Sequence, residues 1–325
     1  MEKLICFLLL SLCSVFAQTA YAEVPSFDAM YVFGDSLSDT GNDLMLTKLI
    51  GLNPAIPPSE YPHTTYFQGR FSNGPISFEY LWRLLKNDAK ARVVPSLAFA
   101  QPANKGAVNY AFGGATSGDF ATTPGGFPVP GLLSQVAAFR VGLFGRKPVR
   151  HALYAIWIGS NDYATSNPTL PATVVRNIKR SIQSLYRMGG REFIVLNMPD
   201  LGHTPAAKFQ GVGADLTGLS VLHNTLLAQA VTDLSSLQGI KITSINIFTL
   251  AQNLVQKLEL DFGPFFTNVP ALGFVAGFCL LSNPAFCPDL VSLELTEPFF
   301  YWDVEHPTTY VHGILGQAMY DALQQ

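Results

Sequence analysis

Charge is scarce in this 325-residue chain. Asp, Glu, Lys and Arg make up 13% of it, about half of the ~25% usual in globular domains. The signs nearly cancel, 20 basic against 23 acidic side chains, for a net charge of −3. A nucleic-acid partner would need a basic face to displace counterions, so that class is excluded, and no strong field draws the chain to an anionic membrane. Cysteine is rare as well: of four, Cys6 and Cys13 stand near the start, leaving Cys279 and Cys287. Beyond residue 22 there is no long uninterrupted apolar run, no internal repeat and no low-complexity linker. What the chain does have is 48% apolar residues, 24 of them Phe. That excludes disordered, collagen-like and coiled-coil classes, and exceeds what a core alone requires, so part of the apolar surface is expected at a binding site.

The first 22 residues read as an export signal. Lys3 gives a short positive region, Leu4–Phe16 an apolar stretch, and Ala20-Tyr21-Ala22 a small-residue cleavage site before Glu23. The stretch is too short for a membrane anchor, which needs roughly 20 residues. The expectation is therefore a secreted, soluble chain of residues 23–325, periplasmic or extracellular, in one domain. In such a compartment Cys279 and Cys287, eight positions apart, read as one short disulfide; two free buried thiols are the alternative. Closing so small a loop is worth roughly 2–3 kcal/mol in the chain-entropy account, enough to shape a loop but not to hold a domain. Neither cysteine has metal-ligand spacing around it.

Short β-branched and aromatic runs alternate with helical periodicity. Strands are expected at Tyr31–Phe33, Ala107–Phe112, Ala152–Ile158, Phe193–Asn197 and Lys241–Phe248. Between them, Val174, Val175, Ile178, Ile182 and Leu185 recur at helical spacing, and further helices are expected at 216–237, Ala251–Leu260 and Val311–Ala322. This alternation predicts an α/β chain with a parallel sheet covered on both faces, whose ligand site lies beyond the carboxyl ends of the strands. Two stretches, 51–75 and 262–300, are rich in Pro and aromatics and are expected as long loops covering a site.

Polar, Gly-rich clusters fall where that rule places a site. Gly34-Asp35-Ser36-Leu37 follows the first strand, and a Ser in such a turn, ahead of a helix, exposes its hydroxyl; the plainer reading is a helix cap. Trp302-Asp303-Val304-Glu305-His306 sets an Asp three positions before a His, as a general base and its orienting carboxylate require; an Asx-type turn is the alternative, and Glu305 is the rival partner, expected to point away. Donors for a tetrahedral oxyanion are available at the Ser36 N–H, the Gly114 N–H and the Asn161 amide. The remaining histidines, His63, His151, His203, His223 and His312, show no partner at useful spacing and read as surface or core-edge residues. No Gly-x-Ser-x-Gly elbow surrounds any Ser.

The set resembles the GDSL lipase/esterase, or SGNH hydrolase, family. Phe33-Gly34-Asp35-Ser36-Leu37-Ser38-Asp39-Thr40-Gly41-Asn42 is similar to its nucleophile block, Asn109–Thr116 to the block carrying an oxyanion Gly, Trp157–Asp162 to the Asn block, and Asp303–Thr308 to the final Asp-x-x-His-Pro-Thr block. Arg70-Phe71-Ser72-Asn73-Gly74-Pro75 is shared with longer members. The resemblance implies a three-layer α/β/α, flavodoxin-like fold on a five-stranded parallel sheet, with Ser36, His306 and Asp303 as a triad and Ser36, Gly114 and Asn161 as the oxyanion hole. It further implies no cofactor or metal. Within the family the wording is closest to secreted bacterial phospholipases A, lysophospholipases and glycerophospholipid–cholesterol acyltransferases. The implied partner is a lipid ester, a lysophospholipid or phospholipid met transiently at a membrane or micelle surface, with no stable protein partner. A carbohydrate or short-chain esterase, and a non-catalytic exported lytic or adhesion protein, are the alternatives.

Overall fold

A computed structural model describes residues 26–60, 65–98, 106–262 and 299–325. The stretch read as an export signal, His63, Cys279 and Cys287 lie outside the described residues, as does nearly all of the 262–300 stretch.

Six parallel strands form the central sheet: β1 (Ala29–Gly34), β2 (Val93–Pro95), β3 (Gly106–Asn109), β6 (Ala152–Trp157), β7 (Glu192–Leu196) and β8 (Lys241–Ile245), in the order β2-β3-β1-β6-β7-β8. All five expected strands are present, and without β2 their order is the flavodoxin-like 2-1-3-4-5. The expected count of five is corrected to six. The added edge strand, β2, has three residues and ends in Pro95, too short to show a period of two and usable only at an edge, where a missing N–H costs no ladder bond. A separate two-stranded hairpin, β4 (Phe120–Thr122) and β5 (Pro128–Pro130), was not legible for the same reason of length.

Alternate residues of β1 sort into two cores. Tyr31 and Phe33 face helices α3 (Leu132–Gly142), α5 (Pro171–Met188) and α7 (Gly213–Leu234) through Phe139, Ile178 and Leu227. Met30 and Val32 face α2 (Ser77–Lys86), α8 (Ile247–Phe262) and α9 (Thr309–Leu323) through Leu81, Leu258 and Leu315. The result is the expected three layers, with β1 and β6 buried along their whole length. Burial along α5 follows the periodicity read from its sequence, and Gly189, at φ 117°, ends it in the left-handed region. Helices α2 and α3 add two elements beyond the expected four. Three short helices complete the chain: α1 (Asn42–Leu49), α4 (Ser160–Tyr163) and α6 (Pro205–Gln210). No helix among the described residues is long and apolar enough to cross a membrane.

Candidate active site

The end of β1 is pinned before the chain turns. Gln135 of α3 accepts the Gly34 N–H (3.0 Å) and donates to the Gly34 carbonyl (2.8 Å). A Cβ at Gly34 would stand 2.4 Å from the Trp157 carbonyl, so this close approach of β1 to β6 admits only glycine. Asp35 then caps the turn, its carbonyl accepting the N–H groups of Ser38 and Asp39 and its Oδ1 that of Leu37 (3.1 Å). The Ser36 N–H is not among the groups Asp35 engages. Ser36 does not sit against a helix N-terminus as its sequence context suggests. The turn runs on to Gly41, and α1 starts only at Asn42.

Three buried side chains, Asn42, Asn109 and Asp39, weld this turn to the next loop. Asn42 Nδ2 donates to the carbonyls of Asn109 (2.9 Å) and Ala111 (2.8 Å), while Asn109 Nδ2 donates to the Ser38 carbonyl. Asp39 accepts the N–H groups of Gly41, Asn42 and Asp43, and more distantly that of Gly113 (3.4 Å). Gly114 has φ 74° and lies under the β4–β5 hairpin, where a Cβ would come 2.9 Å from Thr123 Cγ2. Asn161, in α4, donates through Nδ2 to the Ala115 carbonyl (3.0 Å), which fixes its amide orientation and leaves a second N–H for a ligand. Its neighbour Asp162 holds the same loop by accepting the Ser117 N–H (2.7 Å) and hydroxyl (2.9 Å).

From the other end of the chain, the turn before α9 delivers His306. Its Nε2 lies 2.8 Å from Ser36 Oγ, across 270 residues of sequence, and its Nδ1 lies 2.7 Å from Asp303 Oδ2. Asp303 Oδ1 accepts the backbone N–H groups of Glu305 (2.8 Å) and His306 (2.7 Å). Glu305 bonds Asp303 only through its backbone N–H, so it is not the carboxylate that orients His306, but it lines the same cavity as His306 rather than pointing away. Burial pushes the Asp303 carboxyl up, but the His306 charge and these hydrogen bonds outweigh it and hold the group below the ordinary carboxylate range. Burial likewise disfavours the His306 imidazolium, yet the Asp303 charge and hydrogen bond, aided by Glu305 and Asp35, raise its pKa. Asp303 is therefore anionic, and with its Nδ1–H on that carboxylate the neutral His306 presents Nε2 as an acceptor to Ser36.

The structure thus brings Ser36, His306 and Asp303 into one hydrogen-bonded line. Ser36, Asn161 and His306 border one cavity of about 440 Å3; Gly114 is not among its lining residues, and its neighbour Ala115 is bonded to Asn161. Among the described residues no group of three or more His, Cys, Asp and Glu is arranged to hold a metal ion.

The family described as GDSL-like Lipase/Acylhydrolase matches residues 30–319. The chain belongs to that family. A phosphatidylcholine-sterol acyltransferase of Aeromonas hydrophila is 28% identical over 95% of this chain and 93% of its own length. A GDSL esterase/lipase of Arabidopsis thaliana is 26% identical over 99% of this chain and 97% of that one. Among solved structures, an acetylxylan esterase of Geobacillus stearothermophilus overlays with a TM-score of 0.46 at 14% identity, covering 92% of this chain and 95% of that one.

Several residues of this GDSL esterase/lipase site were not legible beforehand. Tyr66, Phe71, Gln135 and Asp162 all brace it; Tyr66 was expected only as part of a covering loop, and Phe71 and Asp162 stood in blocks shared with the family without a role assigned to them. Three histidines are corrected. His223 and His312 are buried and bonded to the Tyr163 hydroxyl (2.8 Å) and the Ser77 hydroxyl (2.7 Å), partners 60 and 235 residues away that spacing cannot reveal. Burial lowers both, to about 4 and about 3, so they are neutral core groups. His203 Nδ1 lies 2.7 Å from Asp200, and this Asp-x-x-His spacing was open to the same reasoning that singled out His306.

Asp35 supports a prediction about pH. Fully buried, with Oδ2 unpartnered among the described residues, its carboxyl is pushed up by burial to about 7. Because the folded pKa exceeds the unfolded value near 3.8, the fold holds this proton more tightly than the unfolded chain. The group's contribution is most favourable below about pH 4 and is lost as pH rises to 7. Asp35→Asn keeps the turn and removes the ionisation. It is expected to match the parent at pH 4 and to exceed it by on the order of 2–4 kcal/mol at pH 8. Urea unfolding at the two pH values measures the difference, and an offset independent of pH would show that Asp35 is not shifted.

Proposed function

We propose that this protein is an exported lysophospholipase or phospholipase A, cleaving acyl esters of glycerophospholipids through an acyl-enzyme on Ser36. His306 takes the Ser36 proton as Oγ bonds to the ester carbonyl carbon. The Ser36 N–H, the Gly114 N–H and the Asn161 amide receive the oxyanion. As the intermediate collapses, the glycerol oxygen departs with the proton held by His306, and water repeats the sequence to release the fatty acid.

The observation that carries the lipid assignment is the wall of the cavity. It starts at Ser36 and His306 and continues between α8, α9 and the connection after β7, past Leu201, Ile247, Ala251, Val255 and Leu315. These apolar side chains form a lane for an acyl chain, while Asp200, Thr204, Lys208, Gln252 and Gln256 on the same cavity supply polar contacts for a headgroup. The relative that transfers acyl groups from phosphatidylcholine to sterol supports the same class and makes a sterol a candidate acceptor in place of water. The test is a panel of lysophosphatidylcholines of rising chain length, acetylated sugars, and phospholipid with cholesterol, with products separated by chromatography. Rates rising with chain length are expected, and preference for acetylated sugars would overturn the assignment. Ala251→Trp should narrow the cavity. If it excludes about four methylenes, at ~0.8 kcal/mol each, kcat/KM for long chains falls roughly 200-fold. Short-chain p-nitrophenyl esters should be spared, and an equal loss on both would place the acyl chain elsewhere.

A further inference from the structure

The triad carboxylate has a fourth donor. Tyr66 is 1% exposed, and its hydroxyl donates to Asp303 Oδ2 (2.8 Å), the same oxygen that accepts from His306 Nδ1. With the two backbone N–H groups on Oδ1, all four lone-pair directions of the carboxylate are occupied. Tyr66 can act only as donor here, because an ionised carboxylate has no proton to give. The phenol is itself kept protonated, since burial first, and the Asp303 charge second, push it well above its ordinary range.

The segment that carries Tyr66 is stitched to the turn that carries His306. The Tyr66 N–H is held by the Pro58 carbonyl (2.8 Å), and the Phe67 N–H by that of Ser72 (2.9 Å). Ser72 Oγ then donates to the Pro307 carbonyl (2.9 Å), and Asn73 Oδ1 accepts the Thr309 N–H (2.8 Å). A Cβ on Gly74 would lie 2.6 Å from Thr309 Oγ1, so the strap lies flat against the start of α9. Arg70 anchors it to α2 through two hydrogen bonds to the Glu79 carboxylate (2.7 and 3.1 Å). Phe71 extends the wall, 6.1 Å from the Tyr66 ring centroid and 5.2 Å from that of His306.

We propose that Tyr66 is a positioning residue whose hydroxyl completes the hydrogen-bond shell of Asp303 and so sets the strength and direction of its hold on His306. This rests on the reading of Ser36, His306 and Asp303 as an acyl-transfer triad. A carboxylate relieved of one donor is freer to swing from the His306 axis, and it pulls harder on the imidazolium proton that remains. The first effect lowers the rate. The second raises the pKa of His306, which must be neutral to accept the Ser36 proton.

Tyr66→Phe is therefore expected to lower kcat about 10-fold with KM within twofold, the size of one charge-assisted hydrogen bond. The acidic limb of its kcat/KM–pH profile should move up by about half a unit. A role confined to packing would lower the melting temperature and leave that limb in place. As a second measurement, 2,3-difluorotyrosine at position 66 keeps the ring and sharpens the donor, so the limb should move down. That variant decides the question alone if Tyr66→Phe does not fold. A limb that stays fixed in the folded variants overturns the assignment. Ser36→Ala, assayed alongside, separates the two failures: retained activity there removes the triad itself, whereas a dead Ser36→Ala with an unmoved limb removes only the role of Tyr66.

Discussion

Ser36→Ala is expected to lower ester hydrolysis by about 10^4-fold or more while the protein folds as before. The change removes one half-buried oxygen, whose partner is His306 Nε2 at 2.8 Å. The turn itself is held by Asp35, Asp39, Asn42 and Asn109, none of which uses the Ser36 hydroxyl. Stability should therefore stay within about 1 kcal/mol. Catalysis loses the atom that carries the acyl group, and the oxyanion donors alone supply only the residual ~10^3–10^4-fold over water seen when a triad member is removed. Two measurements check this: kcat/KM on a lysophospholipid, and the mass gained on treatment with a p-nitrophenyl alkylphosphonate, which loses p-nitrophenolate as it bonds to Oγ, expected for the parent and absent in the variant. Activity within tenfold of the parent would dismiss Ser36 as nucleophile. Full membrane disruption without hydrolysis would instead favour a lytic protein that retains the fold.

The extent to which this site could be read in advance follows from where each residue gets its partners. Asp303 and His306 meet within one turn, so their spacing permits the pair, but Asp200 and His203 share that spacing and only the resemblance of the surrounding block set His306 apart. Ser36 sits at the carboxyl end of a strand buried at every position, and the rule for parallel sheets points to that end. The meeting of Ser36 with His306 is a long-range event, inferred from the resemblance of whole blocks rather than from any local pattern. Tyr66 shows the opposite case. It lies in a Pro-rich strap without periodicity, and its register against Asp303 is set by Ser72 on Pro307 and Asn73 on Thr309. No rule of spacing connects residues 237 apart. Likewise β2 carries too few residues for alternation to be visible, and His223 and His312 look free until distant helices supply Tyr163 and Ser77. Amphipathic helices were the easier part, because Val174, Ile178, Ile182 and Leu185 report burial through their own period.

Asp303→Asn should be nearly as damaging as loss of Ser36, about 10^4-fold in kcat, although it changes one atom. The outcome depends on which way the new amide faces. With its oxygen in the place of Oδ1 it keeps the N–H groups of Glu305 and His306, at 2.8 and 2.7 Å. The NH2 then replaces Oδ2 and faces His306 Nδ1 and the Tyr66 hydroxyl. The flipped orientation would set that NH2 against two backbone donors in a buried turn, which costs more than it recovers. In the favoured orientation Nδ1 must accept, so the neutral imidazole carries its proton on Nε2 and points it at Ser36. That tautomer donates where catalysis needs an acceptor. The imidazolium also loses the anion that stabilises it, so the pKa of His306 should fall from its raised position. The fold should survive, because the turn keeps both backbone bonds and Tyr66 gains a donor to accept from. Titration of His306 by NMR, together with kcat across pH, tests both halves. A lowered imidazole pKa with intact melting and a collapsed kcat is the expected result. An unchanged kcat would mean that Asp303 holds the turn without holding the proton.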